Sequence, residues 1–211
     1  MMINLKAKLF FVLLMMVAAC VPINATPSPD PGNVSSALHN LRQIAFKAED
    51  LGWPTNSYQE TNGAESVVGY IPVESVRIDA TALPNPINPK TGQPTYYDVR
   101  GATQFIDMYV NEATAGVVFA RMNQAPPLGT MPPGVAFTPH VENVSTECWE
   151  IAAFSGQGAA YNCNFSIQYG RYYTNGGMYI DKEVTTLKDF ETLINIIQDR
   201  LIEQVNREMG S

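Results

Sequence analysis

Two cysteines and an alternating run between residues 148 and 169 constrain the fold of this 211-residue chain more than any other feature. Cys163, Phe165, Ile167 and Tyr169 alternate with Asn162, Asn164, Ser166 and Gln168, which is the period of a strand with one buried and one wet face. Cys163 therefore points inward. A turn centred on Ser155-Gly156 sets Cys148 directly opposite Cys163 on the neighbouring strand, and residues facing each other in this way are close enough for a disulfide. Closing a loop of roughly 15 residues stabilises a fold by about 3 kcal/mol on the chain-entropy account. The same register turns Trp149 and Ile151 to the wet face, where they need a bulge, a covering helix or a partner, so both are candidate partner contacts.

Beyond Tyr169 the chain carries two turn signals, Gly170-Arg171 and Asn175-Gly176-Gly177. Asn-Gly is the stronger hairpin signal locally, and either turn leaves Met178-Tyr179-Ile180 in a strand. Thr186 with Asp189 approximates a capping box. It opens a helix to about Glu208 whose Leu187, Phe190, Leu193, Ile194, Ile197, Leu201 and Val205 form one apolar stripe. Ile196 falls nearly opposite that stripe and is a third candidate partner contact.

The first half is patterned more weakly. Ser36 caps a short helix through about Phe46, with Leu38, Leu41 and Ile44 on one side. Gly52 and Pro54 end it, and Trp53 packs its end onto the body. Residues 66–82 read as strand, with Pro72 marking an edge or a break. Leu83 to Pro94 is a proline-rich surface loop, followed by a strand over 104–110. Asn111 then N-caps a helix to Met122 that carries Ala115, Val118 and Phe119 on one side. Residues 124–134 form a long exposed loop inside one domain, because either flank alone would have a thin core. The expected fold class is α+β, with antiparallel β-sheet packed by helices and the longest helix at the C-terminus. Strands followed by a helix occur twice, through residue 123 and through residue 208, which raises the conjecture of a duplicated strand-strand-helix unit.

At the N-terminus, Lys6 and Lys8 precede the uncharged run Leu9 to Ala19, the build of a secretory signal peptide. The run is shorter than the roughly 20 residues a membrane-crossing helix needs. Val17-Ala18-Ala19-Cys20 resembles the lipobox of prokaryotic lipoproteins. That resemblance implies lipid modification of Cys20 as the first residue of the mature chain, and anchorage to a membrane. Ordinary cleavage after Ala25 is the alternative. The cysteine count fits anchorage, since three cysteines in an exported chain leave one unpaired. The expected organisation is a signal over 1–19, a lipid-anchored proline-rich tether over 20–36 and one extracytoplasmic domain over 37–211.

Formal charge is −7, and removing Lys6 and Lys8 from the 13 basic residues leaves 11 against 20 acidic ones. So acidic a body argues against nucleic acid as a partner. His39 and His140 do not stand at metal-ligand spacing. No glycine cluster has the lysine and helix of a phosphate loop, and Ala153 stands where a nucleophile elbow around Ser155 needs glycine. No metal, cofactor or catalytic set is expected. Asn24, Asn33, Asn143 and Asn164 begin N-glycosylation sequons. These features lead to the expectation of a non-enzymatic, membrane-anchored binding or accessory subunit of an envelope complex, with protein partners there. The alternatives are a glycosylated structural subunit of a surface layer or filament, a small-molecule carrier lined by Tyr169 to Tyr173, and a hydrolase of unfamiliar design.

Overall fold

The computed structural model describes residues 40–51, 55–63, 69–82, 101–124, 138–152, 159–181 and 186–210. Six strands pair antiparallel throughout: β1 (Thr55–Asn62), β2 (Glu74–Ala82), β3 (Gly101–Met108), β4 (Asn143–Ala152), β5 (Ala159–Tyr169) and β6 (Tyr172–Asp181). Their order across the sheet is β1-β2-β3-β6-β5-β4. Two helices, α1 (Glu112–Met122) and α2 (Leu187–Met209), join a helical turn at 40–44 and a 3-10 turn at Ala48–Leu51. The fold is therefore α+β with a long C-terminal helix, and its described residues all belong to one compact unit, Pro31–Ser211.

Alternation along β5 and β6 divides the molecule into two layers. Cys163, Phe165, Ile167, Tyr172, Met178 and Ile180 face one side, where they meet Phe190, Leu193, Ile194, Ile197 and Leu201 of α2 and Leu41, Ile44 and Phe46 of the first helical segment. Tyr173 faces the other side and packs with Tyr109, Ala115 and Val118 of α1. The two helices thus lie on opposite faces. Each half runs three strands and then a helix, with the two helices on opposite faces of the sheet.

The C-terminal half follows its pattern closely. Cys148 pairs with Cys163 in the β4–β5 ladder, and the two are joined by a disulfide with Cα atoms 4.1 Å apart. The Ser155-Gly156 turn itself lies outside the described residues. Thr186 and Asp189 form the full capping box, with Thr186 N–H donating to Asp189 Oδ2 at 2.6 Å and Asp189 N–H to Thr186 Oγ1 at 3.3 Å. Of the two turn signals, Gly170-Arg171 makes the hairpin: Tyr169 faces Tyr172, and Gly170 holds φ at 55°, a left-handed value that favours glycine. Asn175-Gly176 instead runs through the middle of β6. A Cβ at Gly176 would lie 2.0 Å from the Thr103 backbone oxygen, so that glycine serves close strand packing.

In the first half β1 escapes the sequence pattern. Thr-Asn-Ser-Tyr-Gln-Glu-Thr-Asn has no apolar alternation, yet an edge strand needs little burial when one neighbour completes its ladder. Its Tyr58 hydroxyl donates to the Phe46 carbonyl at 2.8 Å and the two rings meet edge-on. β2 begins at Glu74, beyond the break expected at Pro72, with Tyr70 making an isolated bridge, and residues 66–68 of the expected strand lie outside the described residues. β3 begins at Gly101, three residues before the expected start. Asn111 caps α1 as expected, accepting from Thr114 N–H at 2.9 Å. Gln104 is fully buried in β3. It accepts from Phe46 N–H at 2.8 Å and donates to Thr174 Oγ1 at 3.1 Å, tying the first helical segment to the sheet. Trp53, the 83–94 loop, Cys20, Asn24 and Asn33 lie outside the described residues, as do the signal and the tether.

Candidate functional site

α2 and the first helical segment cover one face of the sheet, while α1 packs near one end of the other through Tyr109 and Tyr173. The rest of that second face carries polar side chains in rows that cross the strands. One row runs Asp79, Thr103, Gly177, Asn164, Glu147 from β2 to β4. The next toward α1 runs Arg77, Phe105, Asn175, Ser166, Ser145. On the far side, Tyr179, Asn162 and Trp149 stand abreast on β6, β5 and β4.

These rows floor a trough of about 840 Å³ bounded by Met122 and Asn123 at the end of α1, a size within the ordinary range of ligand pockets. Gly177 lines it, and a Cβ there would come within 2.7 Å of Asn164 Oδ1. A neighbouring cavity of about 490 Å³ shares Phe105, Met122 and Asn175 and adds Arg77, Asp79 and Asp107. The amide half of the site and the charged half therefore meet at Phe105, over which Arg77 lies 5.0 Å from the ring centroid.

Hydrogen bonds hold much of this surface in place. Asn123 Nδ2 donates to Ser166 Oγ at 3.3 Å and to the Phe119 carbonyl at 2.8 Å. Thr103 Oγ1 donates to Asp79 Oδ1 at 3.1 Å, and Asn164 Nδ2 to Glu147 Oε1 at 3.3 Å. Asn175 Nδ2 donates to the Tyr173 hydroxyl at 3.0 Å. Burial pushes the Tyr173 phenol up despite that hydrogen bond. Tyr109 is pushed up by burial and by the adjacent Asp107 carboxylate. Both stay neutral hydroxyls. Among the described residues no lysine or arginine lines the larger trough. None of them form a group of three or more metal-ligating side chains, and no described helix is long and apolar enough to cross a membrane.

The residues singled out by sequence distribute unevenly over this site. Trp149 is on the open face as the register required, half-buried beside Asn162, while the Ile151 side chain lies outside the described residues. Asn164 is in the trough floor, so a glycan on it would fill the trough. Asn143 is exposed at the start of β4 and donates to Gln168 Oε1 at 2.5 Å. Ile196 is half-buried on α2, on the opposite layer. Tyr172 and Tyr173 are buried on opposite faces, and of the stretch Tyr169 to Tyr173 only Tyr173 borders the trough. His140 is fastened to α2, its Nδ1 2.8 Å from Asp199 Oδ1. Thr103, Phe105 and Asn175 were missed. Their signal is alternation against buried Ala102, Gln104, Ile106 and Thr174, readable once β3 is known to start at Gly101. No protein-family model matches the chain, and no curated protein is significantly similar to it in sequence.

Proposed function

We propose that this chain is an exported, lipid-anchored binding subunit of the cell envelope, and that its ligand occupies the open face of the sheet. The observation that carries the reading is the unequal covering of the two faces. The α2 side is closed by an apolar core, whereas the central strands β3, β6 and β5 present amides and hydroxyls around a trough of about 840 Å³. Polar side chains fixed on rigid strands make a pre-formed recognition surface. The apolar run before Cys20, the lipobox-like Val17-Ala18-Ala19-Cys20 and the proline-rich segment after it support the anchorage, and the Cys148–Cys163 disulfide fits an oxidising compartment.

Two measurements test this. Intact mass of the protein purified from its native membranes should give an N-terminus at Cys20 bearing lipid, whereas a lipid-free chain starting at Thr26 refutes the anchor. A photo-cross-linking side chain placed at Ser145, on the trough, should capture an envelope component in intact cells. The same group at Glu203, exposed on α2, should not. Equal labelling from both positions, or none from Ser145, refutes the binding face.

A further inference from the structure

Resting on that reading of the open face, we infer that the ligand of the trough is a neutral saccharide. Its floor and walls are built from groups that both donate and accept: the amides of Asn123, Asn162, Asn164 and Asn175 and the hydroxyls of Ser145 and Ser166. A ligand that satisfies such a surface must itself carry many groups that donate and accept, which describes the hydroxyls of a sugar ring. Among the described residues no cationic side chain lines the larger trough, Arg77 standing in the adjoining cavity, and the chain carries a formal charge of −7, which disfavours an anion there.

The aromatic residues supply the second half of a sugar's requirements. Tyr179 and Phe105 line the trough with Asn162, and Trp149 stands beside Asn162 on the neighbouring strand, just outside that lining. Aromatic rings offer an apolar face with a polar edge, which suits the C–H face of a pyranose lying beside the amides that bind its hydroxyls. The Asn162 side chain makes no hydrogen bond to another described residue, so its donor and acceptor are available at the centre of that row. From β3 to β4 the site crosses three interstrand steps, about 14 Å at the usual spacing, which accommodates a short oligosaccharide rather than a single ring.

A peptide fits the same surface less well. The backbone groups of the central strands β3, β6 and β5 are consumed by their ladders, so a peptide lying across the trough floor finds none of them to pair with. The carboxylate of Glu147, already receiving the Asn164 amide, lies beside the trough as a strong acceptor for a pair of sugar hydroxyls.

The full chain in detergent, labelled away from the trough, is screened on an array of neutral and acidic oligosaccharides, and the strongest neutral binder is titrated by calorimetry. Saturable binding tighter than about 1 mM is expected, weakened at least tenfold in Asn162→Ala and abolished in Ser145→Trp. Asn206→Ala, on exposed α2, should bind as the parent does. Unchanged urea midpoints show that the variants fold. Binding of acidic glycans only, or affinity unaffected by both trough variants, overturns the inference. If no saccharide binds but Ser145 still cross-links to an envelope protein, the saccharide fails and the binding face stands. If Ser145 captures nothing either, both fail.

Discussion

The Tyr172 hydroxyl donates to the Glu208 carboxylate, fastening the last turn of α2 to the start of β6. Arg171 Nη2 reaches the same oxygen, Oε1, at 3.0 Å, and Gln204 Nε2 reaches it at 3.2 Å. One carboxylate thus closes the C-terminal end of the helix against the β5–β6 turn.

This contact gives stability a pH dependence on both sides. Burial alone would raise the Glu208 carboxyl, but hydrogen bonds from Arg171 and Tyr172 and the charge of Arg171 hold it below its ordinary 4.5. Its contribution is therefore present above about pH 4.5 and lost as pH falls through the depressed value. Tyr172 is pushed up to about 12 by burial and by Glu208, so its contribution is complete below pH 10 and is lost as pH rises from 10 toward 12. Urea midpoints measured across pH should fall at both ends. Tyr172→Phe should flatten the alkaline limb only in part, because burial also raises Tyr58, Tyr109 and Tyr173, while Glu208→Gln should flatten the acid limb.

Neighbouring glycines in β6 should respond unequally to alanine. At Gly176 the new methyl meets the Thr103 backbone oxygen at 2.0 Å and the Phe165 ring at 2.9 Å, and neither can retreat without moving the sheet. Gly176→Ala should cost about 3 kcal/mol or more. At Gly177 the closest obstacle is the side-chain oxygen of Asn164 at 2.7 Å, which a rotation can relieve, so the cost should be about 1 kcal/mol. Equal losses in urea denaturation would contradict this account of why two glycines sit mid-strand.

How much of this was legible in the sequence depended on the range of each contact. The Cys148–Cys163 register and the Thr186–Asp189 cap are local, and the residues that form them state the geometry. The wet face of β5 was legible for the same reason, so Asn164 and Trp149 came out on the correct side. What brings Thr103, Phe105 and Asn175 beside them is the β3–β6 pairing, between segments about 70 residues apart, such as Gln104 and Thr174. No local pattern announces such a pairing. It also overrode the Asn175-Gly176 turn signal, because the ladder uses that glycine for close approach. β1 stayed hidden because an edge strand made of polar residues carries no period to read.

Removing the disulfide should be costly without abolishing the fold. Cys148 and Cys163 are buried in the main core, and the sequence separation they close is 15 residues. Replacing both by alanine should lower stability by about 2–4 kcal/mol, seen as a reduced urea midpoint with the far-ultraviolet dichroism of the native state retained. Because both cysteines are buried, reductant in native buffer should leave the bond intact, and thiol titration should detect it only after denaturant is added.

The two ion pairs that fasten the first helical segment should differ in strength. Arg200 of α2 grips Asp50 through two contacts, Nη1 to Oδ2 at 2.6 Å and Nη2 to Oδ1 at 3.0 Å, while Nη1 also donates to the Ala45 carbonyl at 2.7 Å. These side chains are 20% and 10% exposed. The Arg42–Glu60 pair, at 49% and 27% exposure, is far wetter. Bidentate geometry away from water raises the coupling and leaves a stranded carboxylate when the arginine is cut back. Arg200→Ala should therefore cost about 2–3 kcal/mol, and Arg200→Lys should restore less than half, because a point charge cannot reproduce the fork. A double-mutant cycle on Arg42 and Glu60 should yield a coupling below about 1 kcal/mol, diminishing as salt is raised. If a cycle on Arg200 and Asp50 gives a coupling no larger than that of Arg42 and Glu60, the burial argument for Arg200 fails and the segment is held by its apolar contacts with α2 and the Gln104 hydrogen bond.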